Sequence, residues 1–498
     1  MEFFETLGPV FEPFSLMMLL LGILIGMPVG AIPGLTATMT VAILLPITFN
    51  FEPLPGIMML LGIYMSVMFS GAIPAILLNT PGTPSAAATV IEGYPLMKRG
   101  KGGVALSVSA ISSGLAGAIG GVLLALFAPA VTSITRYIDS PVYFMLAVLG
   151  LVMVVAISER HLIKGLFSAV LGLMISFIGL DPVGGTPRLT FGESELLGGL
   201  SIVPLLIGLF GVSEAFRNYE DIHLVPNNAK SITRFMLNRK EWKQITTPTL
   251  SSSLIGFGIG VLPGVGGDIA GFVAYNETKR FAKDKSRFGK GDLRGLAAAE
   301  GANNSSSSGA LVPTLTLGIP GDTVTAILIG AITVHGLRPG PQLFESSPEL
   351  ISGIYVSVIL GSLIVIVIGL AGIRLWTKLV QVRPTVFWPV VLVLCVLGAY
   401  SFRASIFDVF VMLVAGLVGY AFNKAKIPLA PLVIGLILGR MMEENFGRAL
   451  TVHGGSLSWM LEPVPLLLGL LAIASLVFSA VNNSRQRRKL DAKEHQIK

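Results

Sequence analysis

Long apolar runs, separated by short polar and basic stretches, occupy most of this 498-residue chain. An α-helix needs about 20 apolar residues to cross the roughly 30 Å hydrocarbon core of a bilayer. About ten runs approach this length, and the clearest are 104–131, 141–158, 162–180, 196–213, 349–373 and 463–481. The pattern predicts an all-α polytopic membrane protein with about 10–12 membrane spans.

Three short motifs occur twice, in the same order, in the two halves of the sequence. The pairs are GAIPG at 30–34 with GVLPG at 260–264, SGAIP at 70–74 with SGALVP at 308–313, and PLLIGL from Pro204 with PLVIGL from Pro431. The prolines of these pairs lie 230, 239 and 227 residues apart. This nearly constant spacing indicates two repeated halves, and repeats with helices broken at matching points are typical of secondary transporters. The residues predicted to break helices at the first motif pair are Pro33, Gly34, Pro263 and Gly264.

The composition excludes an ordinary soluble protein. Apolar residues make up 53% of the chain and charged residues only 13%, whereas about a quarter of a soluble domain is charged. The mean hydropathy is +0.78. The single cysteine, Cys395, lies in an apolar run, so the sequence offers neither a disulfide framework nor a thiolate metal site.

Basic residues concentrate in the short stretches between the apolar runs. The net charge of +7 therefore indicates which stretches lie on the cytoplasmic side and does not indicate a nucleic-acid-binding surface. Because excess Lys and Arg marks the cytoplasmic side, the N-terminus is predicted outside and the tail from Arg485 inside. The loop 279–294 carries seven Lys and Arg residues, whereas its counterpart at 50–55 carries none. The two halves are therefore predicted to have inverted topologies. The predicted divisions are a first membrane repeat at 1–213, a cytoplasmic linker at 214–248, a second, inverted repeat at 249–462, and an extra span with a basic cytoplasmic tail at 463–498.

Three stretches place Pro, Gly and polar residues inside apolar surroundings, at 75–86, 299–308 and 317–325. Irregular backbone at membrane depth is tolerated only where it lines a protein interior or a watery cavity. A broken helix exposes free N–H groups that suit a carboxylate, while unwound carbonyls and hydroxyls suit a sodium ion. These stretches therefore predict re-entrant hairpins that shape a binding site, with two structural helix kinks as the open alternative.

The repeat places the turn at Pro81 opposite the turn at Pro320, each seven residues after an equivalent proline. The predicted substrate-binding residues are Asn79, Thr80, Pro81, Gly82, Thr83, Asn303, Asn304, Ser305, Ser306, Pro320 and Gly321. The predicted sodium ligands are Asp322 and Thr323, because an intramembrane carboxylate is costly and usually functional. The stretch 299–308 is interpreted as a polar helix break, with a surface loop as its alternative and Glu300 as a partner of the basic loop.

An enzymatic function is the second hypothesis. An intramembrane enzyme or protease would use Asp268, which follows a Gly-rich stretch, together with Asp322. The Gly-rich stretch lacks the spacing of a dinucleotide motif, and no Walker lysine follows it. The sequence therefore favours a protein that is not an enzyme and has no cofactor, with sodium as a possible coupling ion.

Four long strings carry a specific family resemblance. They are GAIPGLTATMTVAILLPITF from Gly30, NTPGTPSAAATVIEGYPL from Asn79, GVLPGVGGDIAGFVAYNETKR from Gly260, and GANNSSSSGALVPTLTLGIPGDTVTAILIGAITVHGLRPGP from Gly301. Together they make the chain resemble the large membrane subunit of the tripartite tricarboxylate transporters, over nearly its whole length. The family often has an acidic residue after the first Pro-Gly, where this chain has Thr83.

The resemblance implies a multi-pass permease of the bacterial inner membrane that imports organic carboxylates with an ion gradient, typically sodium. It also implies two partners, a small four-span membrane subunit and a periplasmic solute-binding protein. The identity of the carboxylate and the choice between sodium and proton coupling stay open, because much of the selectivity is expected in the separate binding protein.

Overall fold

The computed structural model describes residues 6–135, 138–157, 162–182, 184–220, 235–264, 266–379 and 387–497, and these residues are almost entirely helical. Within them, Gly179–Leu180 and Pro187–Arg188 form a small antiparallel ribbon. The helices in chain order are α1 Pro13–Ala31, α2 Ala37–Thr48, α3 Pro53–Ser70, α4 Ala72–Leu78, α5 Val90–Lys98, α6 Gly102–Thr135, α7 Ser140–Ile157, α8 Leu162–Ser176, α9 Ile202–Leu206, α10 Ser213–Glu220, α11 Arg239–Gly260, α12 Gly266–Phe281, α13 Leu293–Leu317, α14 Thr323–Val334, α15 Pro341–Ser346, α16 Pro348–Ala371, α17 Ile373–Leu379, α18 Phe387–Arg403, α19 Ile406–Lys424, α20 Leu429–Val452 and α21 Pro463–Ile497. A π-helical segment, Ile207–Val212, joins α9 to α10.

Six apolar helical segments of the described chain are long enough to cross a membrane. They are Pro13–Ala31, Pro53–Leu78, Gly102–Thr135, Pro348–Ala371, Ile406–Lys424 and Pro463–Val481. Five further apolar helices have only 10–17 residues, and a 12-residue helix is about 18 Å long, which is less than the hydrocarbon core. The all-α polytopic class is therefore confirmed. The structure supplies six full-length spans where the sequence predicted about 10–12, because apolar runs do not show where a helix ends.

Glycine allows the same close helix packing in both halves. A Cβ atom at Gly30 of α1 would lie 3.0 Å from the carbonyl oxygen of Val67 in α3. A Cβ atom at Gly260 of α11 would lie 2.1 Å from the carbonyl oxygen of Ser306 in α13. Gly30 and Gly260 are 230 residues apart and their partners 239, which are the spacings of the sequence motifs. The pair α1 and α3 thus packs as the pair α11 and α13 does.

A second set of equivalent contacts links the two halves to each other. A Cβ atom at Gly208, in the π-helical segment, would lie 2.2 Å from the carbonyl oxygen of Met412 in α19. A Cβ atom at Gly435 of α20 would lie 2.5 Å from the carbonyl oxygen of Ala169 in α8. Each half therefore packs one of its helices into a groove of the other.

The predicted helix break at 299–308 is wrong, because all of these residues lie inside the uninterrupted helix α13 and are buried. Several of their polar groups form hydrogen bonds without breaking the helix. Asn304 Nδ2 donates to the carbonyl of Glu300 at 3.2 Å, Ser306 Oγ donates to that of Asn303 at 2.7 Å, and Ser305 Oγ donates to that of Ser253 in α11 at 2.6 Å. Small hydroxyl residues can bond back to their own helix and still admit a close neighbour.

Candidate functional site

One cavity of about 510 Å³ lies where chain breaks from both halves meet. The break between α1 and α2 contributes Gly34, and the break between α11 and α12 contributes Gly264. The other two breaks contribute the turn after α4 and the turn after α13. The cavity residues that belong to the four breaks or begin the helices after them are Gly34, Thr36, Ala37, Pro81, Gly82, Thr83, Pro84, Ser85, Gly264, Gly266, Gly267, Asp322 and Thr323.

The turns after α4 and α13 have the same construction. Helix α4 is followed by the C-cap residue Asn79 at φ 64°, and helix α13 by the C-cap residue Gly318 at φ 69°, which is the left-handed conformation typical of a helix C-terminus. The N–H of Asn79 donates to the carbonyl of Pro74, and that of Gly318 donates to the carbonyl of Pro313. Equivalent residues of the two turns are 239 positions apart.

At the Pro-Gly dipeptides, both turns lie in close contact with neighbouring backbone. The N–H of Gly82 donates to the carbonyl of Gly71 at 3.0 Å. A Cβ atom at Gly321 would lie 2.4 Å from the carbonyl oxygen of Ala310. The carbonyl of Gly321 also accepts the N–H of Gly264 at 2.7 Å, so two of the breaks are bonded to each other.

Three helices begin at the cavity wall. Thr36 is the N-cap of α2 and accepts the N–H of Met39 at 3.2 Å, and Asp322 is the N-cap of α14. Helix α12 begins at Gly266, directly after the break at Gly264. Free N–H groups and the positive end of the helix dipole favour a negatively charged group at such positions. The cavity therefore offers one wall suited to an anion.

Two of these helix starts contact each other across the halves. The hydroxyls of Thr38 in α2 and Thr323 in α14 share a hydrogen bond of 2.7 Å. The side chain of Asp322 holds α14 in place, since its Oδ1 accepts the N–H of Thr325 at 2.8 Å while the Thr325 hydroxyl accepts the N–H of Asp322 at 2.8 Å. The cavity wall is thus fixed by local capping and by the contact of Thr38 with Thr323 between the halves.

Four ionisable side chains line the cavity, three of them acidic: Glu214, Arg217, Asp268 and Asp322. Arg217 bonds to Glu214, and the Arg217 side chain is 46% exposed. With all four groups ionised, one positive charge against three negative charges leaves a net charge of −2. Any anion with several charges would be repelled from this cavity unless cations entered with it.

Sequence reasoning missed several residues of this site, and three of them bear on its charge. The hydroxyl of Tyr64, a fully buried residue of α3, donates to Asp322 Oδ2. Glu214 and Arg217 belong to the segment assigned from sequence to the linker 214–248, yet they line the cavity. Tyr64 gave no signal except a hydroxyl inside an apolar run, because its partner lies 258 residues away.

The predicted site residues fall into three groups. Pro81, Gly82, Thr83, Asp322, Thr323, Gly34 and Gly264 line the cavity. Asn79 and Thr80 are exposed and lie outside the lining, and Pro33 and Pro263 lie in the breaks without forming part of it. Pro320, Gly321, Asn303, Asn304, Ser305 and Ser306 are buried outside the lining.

Asn303, a member of the buried group, lies directly behind the cavity wall. A Cβ atom at Gly267, which lines the cavity, would lie 2.5 Å from Asn303 Oδ1. This oxygen has no hydrogen-bond partner among the described residues. Across that same part of the chain, no three His, Cys, Asp or Glu side chains form a group that could hold a metal ion.

Comparison with known proteins identifies the family. The family model described as the tripartite tricarboxylate transporter TctA family matches residues 16–434. An uncharacterised 52.8 kDa protein from the TAR-I ttuC′ 3′ region of Agrobacterium vitis is 35% identical over 486 residues, covering 97% of this chain and 96% of the relative. An uncharacterised protein from the TAR-II ttuC′ 3′ region of the same organism is 32% identical over 231 residues, covering 46% of this chain and 96% of the relative. No solved structure matches. The chain therefore belongs to the tripartite tricarboxylate transporter TctA family.

Proposed function

We propose that this chain is the permease subunit of a binding-protein-dependent transporter that imports tricarboxylates, dicarboxylates or related organic acids by symport with sodium. The observation that carries the proposal is the cavity where helix starts from both halves meet a set of acidic side chains. Proton symport is the alternative coupling. The TctA family supplies the general role of a tripartite transporter subunit, and the solute and the ion are the proposed part.

Helix N-termini and the turn at Pro81–Gly82–Thr83 are the proposed contacts for the solute carboxylates. Helices α2, α12 and α14 begin at this cavity, where helix N-termini favour a carboxylate, and Arg217 adds a guanidinium group. The buried residues Asn303–Ser306, Pro320 and Gly321 would act behind the wall.

Asp322 and Thr323 are the proposed sodium ligands. Both line the cavity, and both lie beside the anion-favouring start of α14. The net charge of the lining supports cation entry, because the cation would screen a solute carboxylate from Asp322. Coupling would follow if neither the anion nor the cation bound well without the other.

The proposed topology has two inverted repeats, at 1–213 and 249–462, joined by the linker 214–248 and followed by the extra segment 463–498. The equivalent contacts of α1 with α3 and of α11 with α13 support a structural repeat. In secondary transporters, inverted repeats place the substrate near the middle of the membrane, between the halves.

Cysteine labelling in cells tests this topology. The native cysteine, Cys395, is first replaced, and single cysteines are then placed at Asn50 and at Ser286. An impermeant maleimide added outside should label position 50 and should label position 286 only after the membrane is opened, because the basic loop 279–294 is expected inside. Labelling of both positions from the same side would contradict inverted repeats.

The proposed system contains two further proteins, a small four-span membrane subunit and a periplasmic solute-binding protein, and operates in the bacterial inner membrane. Reconstitution in proteoliposomes tests this arrangement. The complete system should accumulate a labelled carboxylate under an inward sodium gradient, and this chain alone should show little high-affinity uptake. Full uptake without either partner would contradict the tripartite arrangement, and uptake driven by a proton gradient without sodium would select proton symport.

An enzyme is the second candidate function, and one observation favours it. Asp268 and Asp322, the pair that a membrane aspartyl protease would use, line the same cavity. Against this role, both oxygens of Asp322 accept hydrogen bonds, from Tyr64 and Thr325. Cleavage of a peptide substrate in detergent, lost on Asp268→Asn, would favour the protease, and uptake without any cleavage would favour the transporter.

A further inference from the structure

Glu300 forms a second polar site, outside the cavity. Its side chain is fully buried in α13 and accepts three hydroxyl hydrogen bonds. Ser109 and Ser113 of α6 donate to Oε2 at 2.7 Å and 2.8 Å, and Thr89, which directly precedes α5, donates to Oε1. Residues from three separate parts of the chain thus converge on one carboxylate.

Burial and hydrogen bonding act on the charge of Glu300 in opposite directions, since burial of the carboxyl group disfavours the ionised form. Three hydroxyl donors stabilise the charged form over the neutral one. Among the described residues, no Lys, Arg or His forms an ion pair with Glu300. The expected partner in the basic loop does not reach it, since Arg294 pairs with Asp292 at 2.7 Å. A buried charge without a partner is costly, so this carboxylate needs a cation whenever it is ionised.

The ligand set fits a small monovalent cation. Two carboxylate oxygens and three hydroxyl oxygens are hard ligands, and a hydroxyl that donates its hydrogen keeps lone pairs for a cation. A single negative charge is balanced by a single positive charge, whereas a divalent ion would leave excess charge in the interior. A proton is the competing occupant, because a Ser or Thr hydroxyl can also accept a hydrogen bond from a protonated carboxyl group. We propose that Glu300, Thr89, Ser109 and Ser113 form a sodium site separate from the one proposed at Asp322.

Helix α13 connects this site to the cavity. Asn304, one turn after Glu300, donates from Nδ2 to the Glu300 carbonyl, and the neighbouring Asn303 reaches the cavity wall behind Gly267. Sodium binding at Glu300 would fix this turn and its contacts with α6. The site therefore gives α13 a means to respond to sodium without direct contact with the solute.

Glu92 provides a matched control, because it is also fully buried. Its carboxylate accepts the N–H groups of Gly289, Gly291 and Asp292 and the hydroxyl of Tyr275, at 2.5, 2.7, 2.7 and 2.9 Å. Backbone N–H groups have no lone pair for a cation. Glu92 is thus a buried carboxylate whose donors are three backbone N–H groups and one hydroxyl, where Glu300 has three hydroxyls.

Sodium alone is the probe, applied to the purified full-length chain in detergent without solute or partner proteins. Binding is measured with radioactive sodium and by the rise in Tm with NaCl, using choline chloride to hold ionic strength constant. Glu300→Gln should remove one class of sodium site and most of the Tm rise. Ser109→Ala should weaken the sodium affinity of that site about tenfold. Glu92→Gln should lower the stability of the protein and keep its response to sodium. Asp322→Asn should still bind sodium at the Glu300 site.

An unchanged sodium response in Glu300→Gln would overturn the proposal, as would a stabilisation of the normal protein that follows pH and ignores sodium. If Glu300→Gln does not fold, the test uses Ser109→Ala and Ser113→Ala instead. Unchanged sodium affinity in both of these variants would reject the site. The experiment needs no transport, so its outcome is independent of the permease function proposed above.

Discussion

Replacing Gly260 with alanine should destabilise the protein strongly and abolish carboxylate uptake. The new Cβ atom would lie 2.1 Å from the carbonyl oxygen of Ser306, so α11 and α13 would have to move apart. Overpacking of this kind costs typically about 1–3 kcal/mol, and more when rigid backbone is the obstacle. Gly256→Ala should have a similar effect, because its Cβ atom would lie 2.3 Å from the carbonyl oxygen of Ala302. Thermal unfolding in detergent and the yield of monodisperse protein measure the loss.

Gly258 of the same helix supplies the control. A Cβ atom there would have no neighbour within 4 Å, so Gly258→Ala should keep normal stability or gain up to about 1 kcal/mol from helix propensity. Gly30→Ala in α1 should resemble Gly260→Ala in a milder form. The atom 2.1 Å from its Cβ atom would be the rotatable Ser70 Oγ, and the nearest backbone atom, the Val67 carbonyl oxygen, would lie at 3.0 Å. Equal tolerance of alanine at 258 and 260 would show that α11 and α13 do not approach as described.

Asp322→Asn should raise the sodium concentration for half-maximal uptake by at least about tenfold, which corresponds to about 1.4 kcal/mol of lost cation binding. Asparagine is as good an N-cap as aspartate, so α14 should still begin at residue 323. With its single oxygen kept on the Thr325 N–H, the amide nitrogen would face Tyr64, whose hydroxyl would then accept a hydrogen bond instead of donating one. The substitution therefore removes the charge and keeps the shape, and its effect should fall on sodium dependence and not on expression. Uptake measured against sodium at a saturating solute concentration tests this.

Asp292 is a suitable control for Asp322. It is the N-cap of α13, where it accepts the N–H of Arg294 at 2.9 Å, and it lies outside the cavity lining. Asp292→Asn should leave the sodium dependence unchanged. A second comparison, Asn79→Ala, should weaken the dependence on solute more than that on sodium if Asn79 contacts the solute. Normal transport by Asp322→Asn and Asn79→Ala at limiting sodium and limiting solute would make the two turns structural kinks.

The turns could be predicted from sequence because their signals are local. Proline and glycine inside apolar runs restrict the backbone directly, and the structure ends α4 at Leu78 and α13 at Leu317, next to those dipeptides. The equivalence of Asn79 and Gly318 also follows from the motif spacing, although one residue is asparagine and the other glycine. Both tolerate the left-handed conformation better than other residues do.

The composition of 299–308 led to the wrong prediction of a helix break, because composition does not show which acceptors the hydroxyls bond to. A Ser-rich stretch is typical of a linker in water, but in α13 the hydroxyl of Ser306 bonds back to its own helix and that of Ser305 bonds to α11. Tyr64 and Glu300 depend on contacts across the two halves, with separations of 258 and about 190–210 residues. No local pattern carries such information.

The exchange of helices between the halves also has a consequence for biosynthesis. The hydroxyl of Ser168 in α8 donates to the carbonyl of Pro428 at 2.5 Å, a partner that is synthesised 260 residues later. At about 5–20 residues per second, the ribosome needs roughly 13–50 s to supply it. During that interval the glycine-lined groove of α8 has no permanent neighbour, so the nascent first half depends on lipid or on the insertion machinery to cover it. Assembly of this protein is therefore completed only near the end of translation.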